Sequence, residues 1–341
     1  MLKTNLERRH GSFEVFVCLK VQTIVNSAKI KALTYMELNE MGNQLNIGII
    51  GAGAMGLLYA ANFAKRSKIT LFTRRAGQKN ALEQKGILLI DNESTETIHI
   101  NAAEVTDIAE LTKQQFLIVA VKQYSLQEIV PLLQKVPVEI PILFIQNGAA
   151  HLDALPLLGD KRTILLGVSE HGAGRENDTT VIWRGHGRTK YSLYQGTLNP
   201  SIENWLTSLP EFPVEKHLSY LEIIQEKLFI NAVINPLTAV LGVRNGELLE
   251  NPEWLQLLYS LVEEIEKVLP VENGVEKVKA ICRVTANNYS SMALDQKHHR
   301  KTEIDGIVRP ILEKGESEGE LLPTLRTFYH IIKGSEGDRN V

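Results

Sequence analysis

The six residues from Gly51 to Gly56 have the glycine spacing of a dinucleotide-binding loop. They follow a strand-like apolar run, residues 47–50, and they open a helix-like segment. In such loops the first glycine permits a tight turn, the second lets the backbone approach a pyrophosphate, and the third lets helix and strand pack closely. Free N–H groups at the start of the helix then favour an anion. Because strand, motif and helix occur in the required order, the sequence predicts dinucleotide binding, and a glycine-rich turn without a ligand is the alternative. The predicted contacts are Gly51, Ala52, Gly53, Ala54, Met55 and Gly56.

The residues after the next strand-like run indicate which dinucleotide binds. An NAD site usually has an acidic residue about twenty positions beyond the glycine motif, where it binds the ribose hydroxyls. This chain has Arg74 and Arg75 there instead. Two guanidinium groups can hold a 2′-phosphate, so the sequence predicts NADP(H). The alternative is that one or both arginines are solvated loop residues.

Two further residues end strand-like runs at the edge where parallel sheets bind ligands. Lys122 follows residues 116–121, and its charge again favours a phosphate. Asn147 follows residues 142–145, where its amide could bond the nicotinamide end of a cofactor. An ordinary Asn-Gly turn is the alternative for Asn147, and the pattern does not choose between the two.

A second group of polar residues lies on an otherwise apolar helical segment. At about 100° per residue, Lys227, Asn231 and Asn235 fall within roughly 80° of one another. Almost everything else from residue 228 to 237 is apolar, which is typical of a buried helix. Buried polar groups need partners, and a polar substrate in a crevice would supply them. A lysine that reaches solvent, with two structurally satisfied amides, explains the pattern equally well.

A third polar stretch runs from Ser290 and Ser291 to Glu303, through the basic residues 297–301. Paired serines can donate hydrogen bonds to a carboxylate, and the basic run could attract an anion. By itself the stretch is typical of a solvated loop that leads into a helix. His298 and His299 are adjacent and have no further ligands at suitable spacing, so no metal site is predicted.

The pattern of elements divides the chain after residue 217. From residue 45 to 217, short apolar runs alternate with helical segments, which predicts a parallel sheet with crossover helices. Residues 180–183 and 191–194 flank a glycine-rich turn and predict an antiparallel pair at the edge of this sheet. From residue 218 to 341, helical periodicity dominates. The predicted class is therefore α/β, with an N-terminal Rossmann-type dinucleotide-binding domain followed by an all-α C-terminal domain.

Composition limits the classes of function. The chain has 341 residues, 44% hydrophobic residues and a net charge of −3, which argues against a nucleic-acid surface. No apolar run is long enough to span a membrane. Its two cysteines, Cys18 and Cys282, cannot form a disulfide framework, so a cytoplasmic location is expected. Residues 1–44 match neither a secretory signal nor a transit peptide, and we expect a poorly ordered extension, with Met41 as a candidate start.

Taken together, these residues resemble the ketopantoate reductase (2-dehydropantoate 2-reductase) family. The resemblance runs from about residue 45 to residue 333. Its most specific part is the stretch Asn235-Pro236-Leu237-Thr238-Ala239, with Lys227 nine residues before the proline. The other matching motifs are the glycine loop, Lys122, Gln146-Asn147-Gly148, Asn245-Gly246-Glu247-Leu248, Ser290-Ser291-Met292 with Asp295, and Thr302-Glu303 with Asp305.

The resemblance implies NADPH-dependent reduction of ketopantoate to pantoate in pantothenate and coenzyme A synthesis. Lys227 matches the catalytic lysine that protonates the keto oxygen, and Glu303 matches the glutamate that grips the substrate. Ser291 matches the serine that binds the substrate carboxylate. Asn231, Asn235 and Asn245 match amides that line the substrate cleft. Asn147 matches an asparagine near the nicotinamide. Arg74 and Lys122 match contacts to the NADPH phosphates, with Arg75 as an alternative to Arg74. The partner is thus a small 2-oxo acid, and both a monomer and a homodimer stay open.

Two alternatives and one departure accompany this reading. The protein could reduce another 2-oxo acid, or it could bind NADP(H) as a redox sensor without turnover. Retention of Lys227, Asn231, Ser291 and Glu303 as a set argues against a sensor. The departure is Arg309-Pro310, at a position where the family often has glycine. Proline interrupts helical hydrogen bonding, so different packing behind Glu303 is expected.

Overall fold

The computed structural model describes residues 44–92 and 94–337 of the chain. The predicted N-terminal extension, residues 1–44, therefore lies almost entirely outside the described residues, and so do Met41 and Cys18. Within the part of the chain that is described, no helix is both long enough and apolar enough to cross a membrane.

The described residues form two β-sheets. In chain order the strands are Asn46–Ile50 (β1), Lys68–Thr73 (β2), Ile87–Ile90 (β3), Thr95–Ile98 (β4), Asn101–Glu104 (β5), Phe116–Val119 (β6), Ile142–Phe144 (β7), Ile164–Ser169 (β8), Gly172–Arg175 (β9), Thr180–Gly185 (β10), Thr189–Gln195 (β11) and Val214–Lys216 (β12). In space the larger sheet has the order β12-β11-β8-β7-β6-β1-β2-β5, and the smaller sheet has the order β4-β3-β10-β9.

The six strands from β5 to β8 in the larger sheet are parallel, with β1 between β2 and β6. Ile47 of β1 is aligned with Ile69 on one side and with Phe116 on the other. These strands are short apolar runs buried on both faces, as the sequence predicts. Because the strand order reverses at β1, a crevice opens at its carboxyl end, where such sheets bind ligands. The Rossmann-type arrangement confirms the predicted α/β class.

The predicted antiparallel pair at the edge of the sheet is wrong. Strand β10 lies in the smaller sheet, parallel to β3 and antiparallel to β9, whereas β11 lies in the larger sheet, antiparallel to β8. The glycine-rich segment 186–188 therefore leads from one sheet to the other. Strand β11 instead pairs with β8, whose six residues are all buried. Strand pairing follows such burial and register more than a local turn signal.

Helices connect the strands and then form the second half of the described chain. Among the strands lie Ala54–Phe63 (α1), Ala76–Lys85 (α2), Ile108–Leu111 (α3), Leu126–Leu133 (α4) and Pro200–Leu206 (α5). After β12 come Tyr220–Leu241 (α6), Glu247–Glu250 (α7), Pro252–Glu266 (α8), Gly274–Val284 (α9), Ser291–Lys297 (α10), Ile304–Ile307 (α11), Arg309–Glu318 (α12) and Pro323–Gly337 (α13). The helical character predicted for the chain after residue 217 is confirmed, because every described element after β12 is a helix.

Helix α6 is the longest helix after β12, and it contacts both the other helices and the larger sheet. Its first turn is capped by Ser219, whose hydroxyl accepts from the Glu222 N–H at 3.3 Å. It ends at Gly242, whose φ of 71° is a left-handed conformation that glycine adopts readily. The helix packs against α8, α9, α10 and α13, and also against β8 and β11. This position brings its polar residues to the edge of the parallel sheet.

Candidate active site

The glycine loop between β1 and α1 is shaped by two close approaches. Gly51 has a φ of 106°, and a Cβ at this residue would lie 2.7 Å from Val121 Cγ1. A Cβ at Gly56 would lie 1.7 Å from the carbonyl oxygen of Gly51. At Gly53, in contrast, a Cβ would meet no atom within 4 Å. Open space therefore lies beside the backbone where a pyrophosphate would approach, so the loop fits a dinucleotide.

The two arginines after β2 have different surroundings. The Arg74 side chain is 74% exposed, and its Nη1 lies 3.8 Å from Glu128 Oε2. The Arg75 guanidinium instead forms an ion pair with Asp178, from the segment between β9 and β10. Both arginines lie at the carboxyl end of β2, where the sequence places them. Arg74 is the one whose charge is available to a ligand.

Lys122 lies three residues beyond the end of β6 and contacts two buried carboxylates. Its Nζ is 3.1 Å from Asp295 Oδ2 and 3.2 Å from Glu303 Oε2. Burial disfavours the charged form of Lys122, but the two carboxylates outweigh it and raise the pKa above its ordinary value. Sequence analysis expected a phosphate contact here. The structure places the ammonium in a carboxylate cluster at the mouth of the crevice.

Glu303 is 6% exposed and collects donors from the loops after β6 and β7. Besides Lys122, the Asn147 amide donates to Oε2 at 3.4 Å and the Gln123 N–H donates to Oε1 at 3.4 Å. The structure thus brings together Lys122, Asn147 and Glu303, which sequence reasoning proposed separately. Sequence reasoning gave no role to Gln123 or Asp295. For Asp295 the available signal was its place in the matching serine motif.

Lys227 is a part-buried residue on α6 whose Nζ donates to the carbonyl oxygen of Ser169, at the carboxyl end of β8. Burial lowers the pKa of Lys227 to about 8, although the negative charges of Glu170 and Glu303 oppose the shift. The sequence left the balance between burial and Glu303 undecided, and burial dominates. The interaction with Glu303 also means that the two side chains lie in the same region.

The three asparagines differ in their hydrogen bonding. The side-chain amides of Asn231 and Asn235 bond to none of the residues that the structure describes, and Asn235 is only 5% exposed. Asn245 donates from Nδ2 to Thr285 Oγ1 at 2.8 Å, while its buried Oδ1 has no partner among those residues. Unpaired amides on a buried helix face favour the ligand-filled crevice over the alternative of structurally satisfied amides.

The paired serines have separate positions. Ser290 caps α10, because its Oγ accepts from the Ala293 N–H at 3.1 Å, and it also lies 2.7 Å from Thr238 Oγ1. Ser291 is the first residue of α10 and is exposed. The Ser290 hydroxyl oxygen is thus engaged as an acceptor, and the hypothesis that the paired serines donate to a carboxylate stays a prediction. Ser291 is left with an accessible hydroxyl.

Arg309-Pro310 does not interrupt a helix behind Glu303. The short helix α11 ends at Ile307, and Pro310 lies in the first turn of the next helix, where a missing N–H costs little. Arg309 Nη2 instead donates to Asp305 Oδ1 at 2.6 Å and to Tyr329 Oη at 2.9 Å. The departure from the family pattern is accommodated by starting a new helix.

Within residues 44–92 and 94–337, no group of three or more histidine, cysteine, aspartate or glutamate residues could hold a metal ion. His298 and His299 follow α10 at the surface. Cys282 is buried, and burial raises the pKa of its thiol to about 12.

Comparison with protein families decides how this arrangement is classified. Residues 47–196 match the family model described as ketopantoate reductase PanE/ApbA, and residues 219–336 match the model of its C-terminal domain. The chain belongs to the ketopantoate reductase family. The first match lies within the range of the sequence resemblance, and the second extends three residues beyond its end at residue 333.

Individual members of the family are close to this chain. It is 69% identical over 301 residues to a 2-dehydropantoate 2-reductase of Listeria innocua, covering 88% of this chain and 100% of that protein. A 2-dehydropantoate 2-reductase of Listeria monocytogenes is 67% identical with the same coverage. The crystal structure of a probable 2-dehydropantoate 2-reductase from Bacillus subtilis is 34% identical, with a TM-score of 0.76 over 86% of this chain and 100% of that one.

Proposed function

We propose that this protein reduces 2-dehydropantoate (ketopantoate) to pantoate with NADPH. The Listeria relatives at 69% and 67% identity support the substrate and the reaction. The observation that carries the proposal is the position of Lys227. Its ammonium lies at the carboxyl end of β8, with a pKa lowered to about 8 and within electrostatic reach of Glu303. A general acid is most effective with a pKa near the working pH.

The chain offers groups that would hold the cofactor. The backbone around Gly53 would take the pyrophosphate, and Arg74 would take the 2′-phosphate. When bound, NADPH supplies a hydride to the carbonyl carbon of the 2-oxo acid. Asn147, whose amide lies against Glu303, would face the nicotinamide end. The open space beside Gly53 and the exposed charge of Arg74 support this assignment.

Lys227 would provide the proton that completes the reduction. As the hydride arrives, negative charge develops on the carbonyl oxygen, and the proton moves from Lys227 Nζ to that oxygen. The neutral amine then regains a proton from solvent. Burial of the ammonium disfavours its charged form, which makes the proton easier to give. Loss of such an acid typically costs about 10²- to 10⁴-fold in rate.

The remaining polar groups would bind the substrate. Glu303 would accept from substrate donors, in exchange for part of its contact with Lys122 or Asn147. Asn231 and Asn235 would use their unpaired amides, and Ser291 would use its exposed hydroxyl toward the carboxylate. Asn245 would act through its unpaired Oδ1. Each of these groups has hydrogen-bonding capacity that the described residues leave unused.

We also propose a division at residue 217 between an NADP-binding domain, 45–217, and a helical substrate domain, 218–341. The two family models end and begin at residues 196 and 219, which supports this division. The last strand, β12, ends at Lys216, and α6 begins at Tyr220.

The test is NADPH oxidation with ketopantoate and a panel of other 2-oxo acids, comparing NADPH with NADH. We expect turnover that is fastest with ketopantoate and NADPH. Lys227→Ala should lower kcat by about 10²-fold or more, while Lys267→Ala, an exposed lysine after α8, should leave it unchanged. Faster turnover of another acid would identify a different reductase, and binding of NADPH without turnover of any acid would indicate a sensor.

A further inference from the structure

An acidic side chain from the smaller sheet lies beside the arginines that follow β2. Asp178, between β9 and β10, forms an ion pair with Arg75, 103 residues earlier in the chain. Both side chains are partly exposed. The sequence around Arg75 contains no acidic residue. A motif that counts residues onward from the glycine loop therefore cannot detect Asp178. Its carboxylate nevertheless contacts Arg75, two residues beyond the end of β2, and in NAD sites the acid that binds the ribose also follows this strand.

Asp178 is held in place relative to the glycine loop by one buried amide. Gln78, on α2, is 4% exposed, and its Nε2 donates to the carbonyl oxygens of Ala52 at 2.9 Å and Asp178 at 3.0 Å. Arg175 Nη1 donates to the same Ala52 oxygen at 3.3 Å. Through Arg175 of β9, the smaller sheet is therefore hydrogen-bonded to the loop that would bind the pyrophosphate. These hydrogen bonds fix the position of Asp178 relative to the glycine loop.

Both arginines that follow β2 have an acidic neighbour at this end of the crevice, while the Arg175 guanidinium donates to the carbonyl oxygen of Ala52. Arg75 is paired with Asp178, and Arg74 has Glu128 at 3.8 Å. A 2′-phosphate carries nearly two negative charges at neutral pH, so it is repelled by Asp178 and must compete with it for Arg75. A free 2′-hydroxyl carries no charge and can donate a hydrogen bond to a carboxylate. The Asp178 carboxylate thus disfavours NADP(H), which carries the 2′-phosphate, and is compatible with NAD(H), which has a free 2′-hydroxyl.

We propose that Asp178 sets the cofactor preference of this site by lowering the affinity for NADP(H) relative to NAD(H). Arg74 then supplies the remaining attraction for the 2′-phosphate, and Arg75 contributes little while it is paired. The inference rests on the proposed function, because it requires that a nicotinamide dinucleotide binds in this crevice. It adds a specificity-determining residue that lies outside the glycine motif and outside the matched family motifs.

The test measures binding, so it does not depend on turnover. Dissociation constants of NADPH and NADH, and of adenosine 2′,5′-bisphosphate and adenosine 5′-monophosphate, are determined for wild type and for Asp178→Asn. We expect the preference for the 2′-phosphorylated ligand to rise about 3- to 10-fold at low salt and to shrink as salt is added. Asp178→Glu keeps the charge and should behave as wild type. Asp160→Asn removes an exposed acid before β8, a strand separated from β2 by β7, β6 and β1, and should change nothing.

Asp178→Ser is prepared in parallel, so that a folding defect in one variant leaves the other to answer. A purely structural role would weaken both members of each ligand pair equally and leave the preference unchanged. That result, in a wild type that binds the ligands, would overturn the inference alone. A wild type that binds neither dinucleotide would refute the proposed function as well. A rise in preference in both neutral variants supports the inference.

Discussion

The ammonium of Lys122 lies 3.2 Å from Glu303 Oε2 and joins the loop after β6 to the segment before α11. The same ammonium lies 3.1 Å from Asp295 Oδ2, and Arg300 Nε lies 2.9 Å from Asp295 Oδ1, so two cations compensate two carboxylates that are each nearly buried. Such a cluster connects the parallel sheet to the helical half of the chain at the candidate active site. Removing the Lys122 ammonium would leave Asp295 with Arg300, and Glu303 with the Asn147 amide and the Gln123 N–H as donors.

Lys122→Met tests the energetic role of this cluster. Breaking a buried ion pair leaves an uncompensated charge, but Lys122 is 40% exposed, so water screens part of the loss. We expect the free energy of unfolding to fall by about 1–3 kcal/mol, measured by urea denaturation. Lys135→Met replaces an exposed lysine just after α4 and should be near neutral. Equal midpoints for the two variants would contradict the proposed role.

The pKa of Lys227 predicts the pH dependence of the reaction. The protonated amine is the acid, and its fraction falls as pH rises through about 8, so the rate of reduction should fall there as well. The reverse oxidation needs the neutral amine as base and should rise over the same range. Profiles of kcat against pH in both directions measure this.

Lys227→Arg separates the charge from the proton transfer. A guanidinium stays protonated throughout this range, so the variant should be slower by about 10²-fold and should lack the decline near pH 8. Lys267→Ala should keep the wild-type profile. A wild-type rate of reduction that stays flat to pH 9.5 or so would exclude Lys227 as the titrating acid.

Two glycines of the loop should respond differently to the same added methyl group. At Gly56 a Cβ would lie 1.7 Å from a backbone oxygen, so Gly56→Ala should lower stability by about 2 kcal/mol or more. At Gly53 the space is open, so Gly53→Ala should keep the thermal midpoint and weaken dinucleotide binding. Thermal melts and NADPH titrations compare the variants. Unchanged binding by a folded Gly53→Ala protein would refute the placement of the pyrophosphate.

His151 predicts part of the acid sensitivity of the fold. It is 2% exposed, its Nδ1 has no partner among the described residues, and burial lowers its pKa to about 4. The unfolded chain therefore binds a proton near pH 6.5 that the folded chain rejects, and stability falls as pH drops from there toward 4.

His151→Leu should remove this contribution, which amounts to about 2 kcal/mol near the lower end of that range. The free energy of unfolding, followed from pH 7 down to about pH 4.5, compares wild type with the variant. His330→Leu changes an exposed histidine on α13 and should leave the slope as in wild type. If both variants lose stability in parallel with wild type, His151 does not cause the sensitivity.

Local patterns were sufficient for the elements that carry their own signal. The strand before Gly51 and the glycine spacing define the loop, because the order of strand, loop and helix is local in the sequence. The helical period places Lys227, Asn231 and Asn235 on one face of α6, because that period follows from backbone geometry. The family resemblance then proposed roles for Glu303 and Asn245 that no spacing argument could supply.

Pairing across long stretches of sequence was not predictable in the same way. Strands β10 and β11 look like a hairpin, but burial and register assign them to different sheets. Likewise Pro310 looks like a helix breaker, but it begins a helix. Both outcomes depend on which distant surfaces are available to be covered, and a local pattern contains no information about that.

The sequence by itself determined the class of fold, the dinucleotide loop and the lysine on α6. Only the tertiary structure decided the charge environment of those groups: Asp178 beside Arg75, Asp295 beside Lys122, and burial rather than Glu303 as the dominant influence on Lys227. The physical reason is that a charge is altered by whatever lies within a few ångströms in space, and neighbours of that kind come from any part of the chain.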